Sequence, residues 1–188
     1  MFIGTLFGSI ELAMIAFADE QGRPSAAGVL LPLVAVGSGA SGLLYGARSW
    51  RSPLPRRFGL GLVGLVAGCV PLLLVDGVVP MAVAGLLAGF AISPTLIASF
   101  GLVERLVPAS AHTEGFTWLN TGLNVGAAGG ASLGGWLVDG PGSRAAFGLS
   151  LTGAVLALAV TALGRATLSS TPHGRGSTPD GVRPTTAA

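Results

Sequence analysis

Long uncharged stretches dominate the chain and alternate with short clusters of charged residues. Five stretches of 18 to 27 residues contain no Asp, Glu, Lys or Arg. An α-helix that rises about 1.5 Å per residue needs roughly 20 residues to cross a hydrocarbon core of about 30 Å. A sixth stretch at the start of the chain is apolar except for Glu11. The pattern predicts six membrane-spanning helices, over about residues 1–18, 24–47, 58–75, 79–103, 116–138 and 145–164.

These helices leave little polypeptide between them, so the predicted fold is an all-α, polytopic transmembrane bundle over residues 1–165. Residues 166–188 are rich in Ser, Thr, Pro and Gly, a composition that cannot bury a core and predicts a disordered cytoplasmic tail. A cleaved signal peptide is the alternative for the first stretch, because residues 16–18 read Ala-Phe-Ala. Glu11 within the stretch and the lack of a basic segment before it favour a retained helix.

Composition agrees with a protein surrounded by a lipid bilayer. Hydrophobic residues make up 51% of the chain and charged residues 10%, against roughly a quarter charged in soluble domains. The basic pI of the chain therefore does not indicate a nucleic-acid partner. Cys69 is the single cysteine, and no metal-ligand spacing, phosphate-binding loop or dinucleotide motif is present. The sequence predicts no metal site and no cofactor.

Arginine placement predicts the orientation of the bundle. Four arginines lie in the connection between the second and third helices: Arg48, Arg51, Arg56 and Arg57. Four more follow on the same side of the membrane, whereas Arg23 and Arg144 lie on the opposite side. The positive-inside rule makes the basic side cytoplasmic. The prediction is a multi-pass protein of the cytoplasmic membrane with both termini in the cytoplasm.

Small residues recur every four positions on the predicted fifth helix. They are Gly122, Gly126, Gly130 and Gly134. Membrane helices associate through close backbone approach at small residues, so this stripe predicts a helix-packing face. Shorter stripes are Ser38, Gly42 and Gly46 on the second helix and Gly85, Gly89 and Ser93 on the fourth. The alternative is a general abundance of glycine, with 31 in the chain.

Asn120 and Asn124 lie one turn apart on the same predicted helix. At about 100° per residue, Gly122 is displaced by about 200° from Asn120, so the amides and the glycines occupy different faces. Two interpretations stay open for the amides. They line a cavity, or they hydrogen-bond a neighbouring helix.

Glu11 is the most costly residue to place in lipid. It falls roughly 15 Å along a helix from Met1, near the middle of the bilayer. An ionised side chain there costs at least about 2.5–3.5 kcal/mol, and intramembrane acids usually face a water-filled cavity, pair with a partner or carry a proton. The sequence offers no Arg or Lys at mid-helix as a partner. Glu11 is predicted to be a proton or cation site, with a permanently protonated, hydrogen-bonded carboxyl as the alternative.

The predicted fourth helix is interrupted at Ser93-Pro94-Thr95. Proline removes a backbone hydrogen bond, and such a break is tolerated at membrane depth only beside protein or water. Ser93 and Thr95 are therefore predicted to line a substrate or proton path together with Glu11, Asn120 and Asn124.

A weak internal repeat relates the two halves of the predicted bundle. The string Phe-Gly-Leu-x-Leu at residues 58–62 recurs at residues 147–151, three helices later. A three-plus-three helix duplication would place it there, and inverted repeats of this kind build each half of certain transporters. The repeat predicts that arrangement for this chain.

Four local strings resemble the C-terminal half of drug-efflux-like major facilitator superfamily transporters from actinobacteria. They are residues 89–95, 102–108, 113–118 and 134–139. The resemblance covers residues 1 to about 165. It implies that Glu11 and the fourth helix face a central cavity, and that the second and fifth helices pack against another six-helix half. The cytoplasmic signature loop of the family is degenerate here, with Gly46 where an acid would stand, so no gating salt bridge is implied.

The resulting prediction is a secondary transporter, a proton-coupled exporter of small molecules, present as a half-length or truncated chain that pairs with a second half. The alternative is a non-transporting membrane subunit or an inert fragment of a longer transporter gene. A membrane-embedded enzyme is the least favoured function, because His112 beside Glu104 and Glu114 is typical of a solvated loop. No catalytic residue is predicted.

Overall fold

A computed structural model describes the backbone of residues 1–169 and the side chains of residues 1–164. Within this range the chain forms seven α-helices and no strand. They are α1 (Phe2–Glu20), α2 (Ala27–Ala47), α3 (Leu54–Leu74), α4 (Val78–Phe90), α5 (Ile92–Leu106), α6 (His112–Asp139) and α7 (Ser143–Ser169). Short 3-10 turns precede α2 and α6, at Pro24–Ala26 and Ala109–Ala111. The predicted all-α helical bundle is confirmed.

Five units are long and apolar enough to cross a membrane. They are Phe2–Glu20, Pro24–Ala47, Leu54–Leu74, Val78–Leu106 and Ser143–Gly164. The unit Val78–Leu106 comprises α4 and α5, which Ala91 separates. The sixth predicted crossing, α6, has 28 residues and is long enough to cross a membrane. It is not among these five units, because its glycines and two Asn side chains make it less apolar.

The helices extend beyond the predicted bounds at their charged ends. α3 begins at Leu54, ahead of Arg56 and Arg57, and α5 continues through Glu104 to Leu106. The predicted bounds stopped at the first charge, but a charged side chain at a helix end reaches the interface while its backbone stays helical. α7 likewise runs to Ser169, into the segment predicted as a tail; the rest of that segment, residues 170–188, lies outside the described residues.

Helix packing follows a two-fold pattern. The helices form two triplets: α1, α2 and α3 are the first, and α4–α5, α6 and α7 are the second. The leading helix α1 packs on α6 and α7, and the leading unit α4–α5 packs on α2 and α3. α3 and α7 pack against each other between these pairs. This is the arrangement that a three-plus-three repeat predicts. One contact departs from the two-fold pattern. α6 packs against α7, whereas their counterparts α2 and α3 make almost no contact.

Buried apolar side chains form two clusters along α1. The cluster near its C-terminal end centres on Met14, Phe17, Leu30, Met81 and Phe147, and the other centres on Leu6, Leu62, Leu65 and Ile92. The two clusters place α1 at the centre of the bundle. A buried hydrogen bond of 2.7 Å between the hydroxyls of Ser9 and Ser150 joins α1 to α7.

Polar contacts fasten the end of the bundle at which α1 ends. The carboxylate of Glu20 accepts hydrogen bonds from the backbone N–H of Ser143, at 2.7 Å, and from its hydroxyl, and so satisfies the N-terminus of α7. Asp76, ahead of α4, forms an ion pair with Arg144 of α7. Glu20 and Asp76 therefore both bind α7 at this end of the bundle.

Candidate functional site

Glu11 lies halfway along α1 and lines a cavity of about 300 Å³ between α1, α2 and the start of α5. The walls of this cavity are apolar except for Ser38, and they include Phe7, Met14, Leu31 and Ile92. Glu11 is roughly 14 Å along the helix axis from Phe2, which places its carboxylate near the middle of the span. The only acid at mid-helix in the described chain therefore faces an apolar cavity.

The carboxylate of Glu11 has no partner among the described residues. No hydrogen bond and no ion pair reaches it, in contrast to Glu20 and Asp76. Its side chain is exposed at the surface of the bundle. An unpartnered carboxylate at this depth requires water, a proton, a bound cation or a covering protein surface.

Two serine hydroxyls provide the polar neighbours of this cavity. Ser38 of α2 lines it and forms a 2.8 Å hydrogen bond with Ser93 in the first turn of α5. The helices approach closely there, since a Cβ added at Gly42 would lie 3.2 Å from the Cβ of Ser93. Of the sequence-predicted site residues, Ser93 does not line the Glu11 cavity itself and is linked to it through its hydrogen bond with Ser38. The sequence placed Ser38 in a packing stripe and missed its position beside the cavity.

Thr95 lies on the other side of α5. It is fully buried, its hydroxyl donates to the carbonyl of Ala91 at 2.7 Å, and it packs against Gly61 of α3. Two residues correspond to about 200° of helix rotation, so Ser93 and Thr95 point in nearly opposite directions. The structure does not place Thr95 on the Glu11 cavity.

Asn120 and Asn124 are exposed on α6. Their side-chain amides donate to carbonyls one turn earlier in the same helix, those of Phe116 at 3.1 Å and Asn120 at 2.9 Å. Within the described chain neither amide bonds a neighbouring helix, and neither lines the Glu11 cavity. They lie on a face that the rest of the bundle leaves uncovered.

The glycine stripe of α6 packs on α1. Gly126, Gly130 and Gly134 are buried there, while Gly122 is less enclosed. A Cβ added at Gly130 would lie 2.7 Å from the Cα of Thr5, a distance that requires the backbone of α1 to move.

The reciprocal face of α1 carries Gly4 and Gly8, which lie against the backbone of α6. Their four-residue spacing was the signal that could have identified this face in the sequence. Because these glycines hold α1 against α6, Glu11, about one turn after Gly8, is left at the edge of the packed face and beside α2.

The four loop arginines lie far along the chain from Glu11, and two of them surround an aromatic ring. The guanidinium groups of Arg48 and Arg57 each lie 5.4 Å from the centre of the Trp50 ring. Arg51 and Arg56 are exposed. This end of the bundle is separate from the Glu11 cavity, with which it shares no lining residue.

Comparison with known proteins gives one family. The family model described as Major Facilitator Superfamily matches residues 1–187 of the chain. The match includes every described helix. No curated protein and no solved structure gives a significant match.

Proposed function

This chain belongs to the major facilitator superfamily, a family of membrane transporters, and we propose that it supplies one half of a proton-coupled exporter of small amphipathic molecules. The family assignment and the apolar helices make it a multi-pass membrane protein. Export is inferred from the resemblance of residues 89–95 and 134–139 to drug-efflux-like members. The proposal of proton coupling is supported by Glu11, whose carboxylate lies at mid-helix beside an apolar cavity and has no partner among the described residues.

A single carboxylate in an apolar cavity can exchange a proton for a cationic substrate. Protonation removes the charge that makes Glu11 costly in this surrounding, and loss of the proton restores a negative charge that attracts a cation. Phe7, Met14 and Leu31 offer apolar contact to the body of the substrate. The site is suited to an amphipathic cation that binds when the proton leaves.

The open side of this cavity and the exposed faces of α2 and α6 support a second six-helix half in the assembly. Only 17% of the residues in the apolar part of the α2 span are buried in this bundle, against 56% of those in the α1 span. On α6, the side chains of Trp118 and Trp136 are 69% and 73% exposed. Alternating access operates between two bundles around a site at their interface. We propose that a second half, in the same or a separate chain, covers α2, α6 and the exposed edge of Glu11.

The charge distribution supports an orientation with both termini in the cytoplasm. The α2–α3 connection carries Arg48, Arg51, Arg56 and Arg57, and the acids Glu20 and Asp76 lie at the other end of the bundle. The positive-inside rule assigns the arginine-rich end to the cytoplasm of a cell bounded by this membrane.

Membrane vesicles from cells that express the chain provide the test. A pH gradient across the vesicle membrane should drive movement of a fluorescent cationic dye, and Glu11→Gln should abolish that movement. The substitution keeps the size of the side chain and breaks no described hydrogen bond, so folding should be retained, as far-UV circular dichroism would check. Glu104→Gln is the matched control, since it removes the same charge from an exposed position outside the cavity.

The outcomes separate transport from its alternatives. Normal dye movement with Glu11→Gln would remove Glu11 from the mechanism, and equal loss in both variants would indicate a general charge effect. No movement with the unsubstituted chain in vesicles from its own cells, where a separate second half is also present, would favour a non-transporting membrane subunit or an inert fragment. That second candidate has one observation in its favour, namely that the described residues form a single bundle with the Glu11 cavity open on one side.

A further inference from the structure

A second cavity, of about 870 Å³, lies between α2, α3 and the break between α4 and α5. It occupies the position where the two-fold packing pattern fails, because α2 and α3 scarcely touch whereas their counterparts α6 and α7 pack together. Its volume falls in the range of ligand-binding pockets, roughly 300–1,000 Å³.

The cytoplasmic end of this cavity is built around Trp50. The indole N–H of Trp50 donates to the carbonyl of Tyr45 at 2.8 Å, and the two rings lie 4.8 Å apart. Arg57 donates to the carbonyls of Trp50 and Ser52, each at 2.7 Å. These bonds fold the α2–α3 connection into a defined aromatic and basic rim.

The rim holds positive charge that the described residues do not neutralise. The connection contains no acid, and the ion pair of Asp76 with Arg144 lies at the opposite end of the bundle. The guanidinium of Arg48 contacts the Trp50 ring but receives no described hydrogen-bond partner. The hydroxyl of Tyr45, a residue that lines the cavity, is buried and also has no described partner. This hydroxyl can therefore donate a hydrogen bond to a ligand in the cavity without giving up a bond within the described protein.

The rest of the cavity is apolar. Leu60, Leu87 and Phe90 line it and are 62%, 58% and 44% exposed. Gly61 and Gly64 of α3 also line it, and they let α3 approach Thr95 and Ala91 closely at the back of the cavity. A slot of this kind, which begins at a basic rim and continues along apolar helix faces, matches a molecule with an anionic head and a hydrocarbon tail.

We propose that this cavity binds an anionic phospholipid of the surrounding bilayer. Its phosphate accepts hydrogen bonds from Arg48 and from the hydroxyl of Tyr45, and an acyl chain lies along Leu60, Leu87 and Phe90. Basic pockets between membrane helices on the cytoplasmic side are suited to such head groups. The bound lipid fills the gap between α2 and α3, and its binding does not depend on the proposed transport.

Fluorescence of Trp50 provides the test. The full chain with Trp118→Phe and Trp136→Phe, which leaves Trp50 as the single tryptophan, is reconstituted in phosphatidylcholine vesicles that contain brominated lipid as quencher. Brominated phosphatidylglycerol should quench Trp50 more strongly than brominated phosphatidylcholine at equal mole fraction. The ratio of quenching by the two lipids in one variant is the readout, so changes in the intrinsic fluorescence of Trp50 cancel.

Arg48→Gln should lower this selectivity about fivefold, the effect of one basic residue at an anionic lipid surface. Arg51→Gln is the matched control, because it removes the same charge from an exposed position in the same connection that does not line the cavity. Tyr45→Phe should also lower the selectivity, since it removes a donor to the phosphate. Neither Arg48 nor the Tyr45 hydroxyl bonds another described residue, so both variants should fold.

Several results would overturn the proposal. They are equal quenching by the two lipids, a loss of selectivity in Arg48→Gln that is no larger than that in Arg51→Gln, and an unchanged or higher selectivity in Tyr45→Phe. A saturable change of Trp50 fluorescence on addition of inorganic phosphate, without selective quenching by brominated phosphatidylglycerol, would show that the rim binds a soluble anion instead of a bilayer lipid.

Discussion

The α1–α6 contact allows a sharp test, because two adjacent glycines of α6 have opposite surroundings. A methyl group at Gly130 would lie 2.7 Å from the Cα of Thr5 and 2.8 Å from its carbonyl carbon, both in the backbone of α1. A methyl group at Gly129 would meet nothing within 4 Å. Gly129→Ala and Gly130→Ala therefore make the same chemical change, one at a free surface and one in a close contact between α1 and α6.

The expected effect follows from the rigidity of the contacting atoms. Overpacking a well-packed interior costs about 1–3 kcal/mol, and here the neighbour that must move is backbone. The helix propensity gained on replacing Gly with Ala is at most about 1 kcal/mol and is common to both variants. Gly130→Ala should therefore be less stable than Gly129→Ala by about 1–3 kcal/mol.

Unfolding of the full chain in mixed micelles, driven by a denaturing detergent and followed by far-UV circular dichroism, measures this difference. Gly129→Ala should match or exceed the unsubstituted chain, and Gly130→Ala should unfold at lower denaturant. Equal midpoints for the two variants would refute the inference that the stripe of α6 sets the distance to α1. The same displacement of α1 would move Glu11, so Gly130→Ala should also reduce dye transport.

Two further predictions concern the polar contacts. A double-mutant cycle of Ser38→Ala and Ser93→Ala should give a coupling energy of about 0.6 kcal/mol, and at most about 1.7 kcal/mol, as for other hydrogen bonds between membrane helices. Zero coupling would contradict the 2.8 Å hydrogen bond between the two hydroxyls. Glu20→Gln should destabilise the bundle by about 0.3–1 kcal/mol, because it removes the negative charge that lies at Ser143, at the N-terminus of α7. Asp19→Asn, at the neighbouring position, should have no effect in the same detergent titration. Equal effects of Glu20→Gln and Asp19→Asn would contradict that role of Glu20.

Much of the architecture could be read from the sequence because each membrane helix is specified locally. The length of an uncharged run and the absence of charge decide whether that segment enters lipid, whatever its neighbours are. For the same reason, the four-residue spacing from Gly122 to Gly134 was enough to place those glycines on one face of a helix. The family resemblance of the whole chain, which the comparison confirmed at the level of the superfamily, rested on such local strings.

The tertiary structure alone decided which faces meet. The spacing of glycines on α6 could not identify Gly4 and Gly8 as their partners, because that depends on the paired surfaces of two helices far apart in the chain. Nor could the sequence separate Ser93 from Thr95, since the direction of a side chain toward a cavity depends on how its helix is rotated against its neighbours. The sequence determined which segments cross the membrane, and packing between them determined that Glu11 lies beside Ser38 and that α2 and α3 leave a cavity.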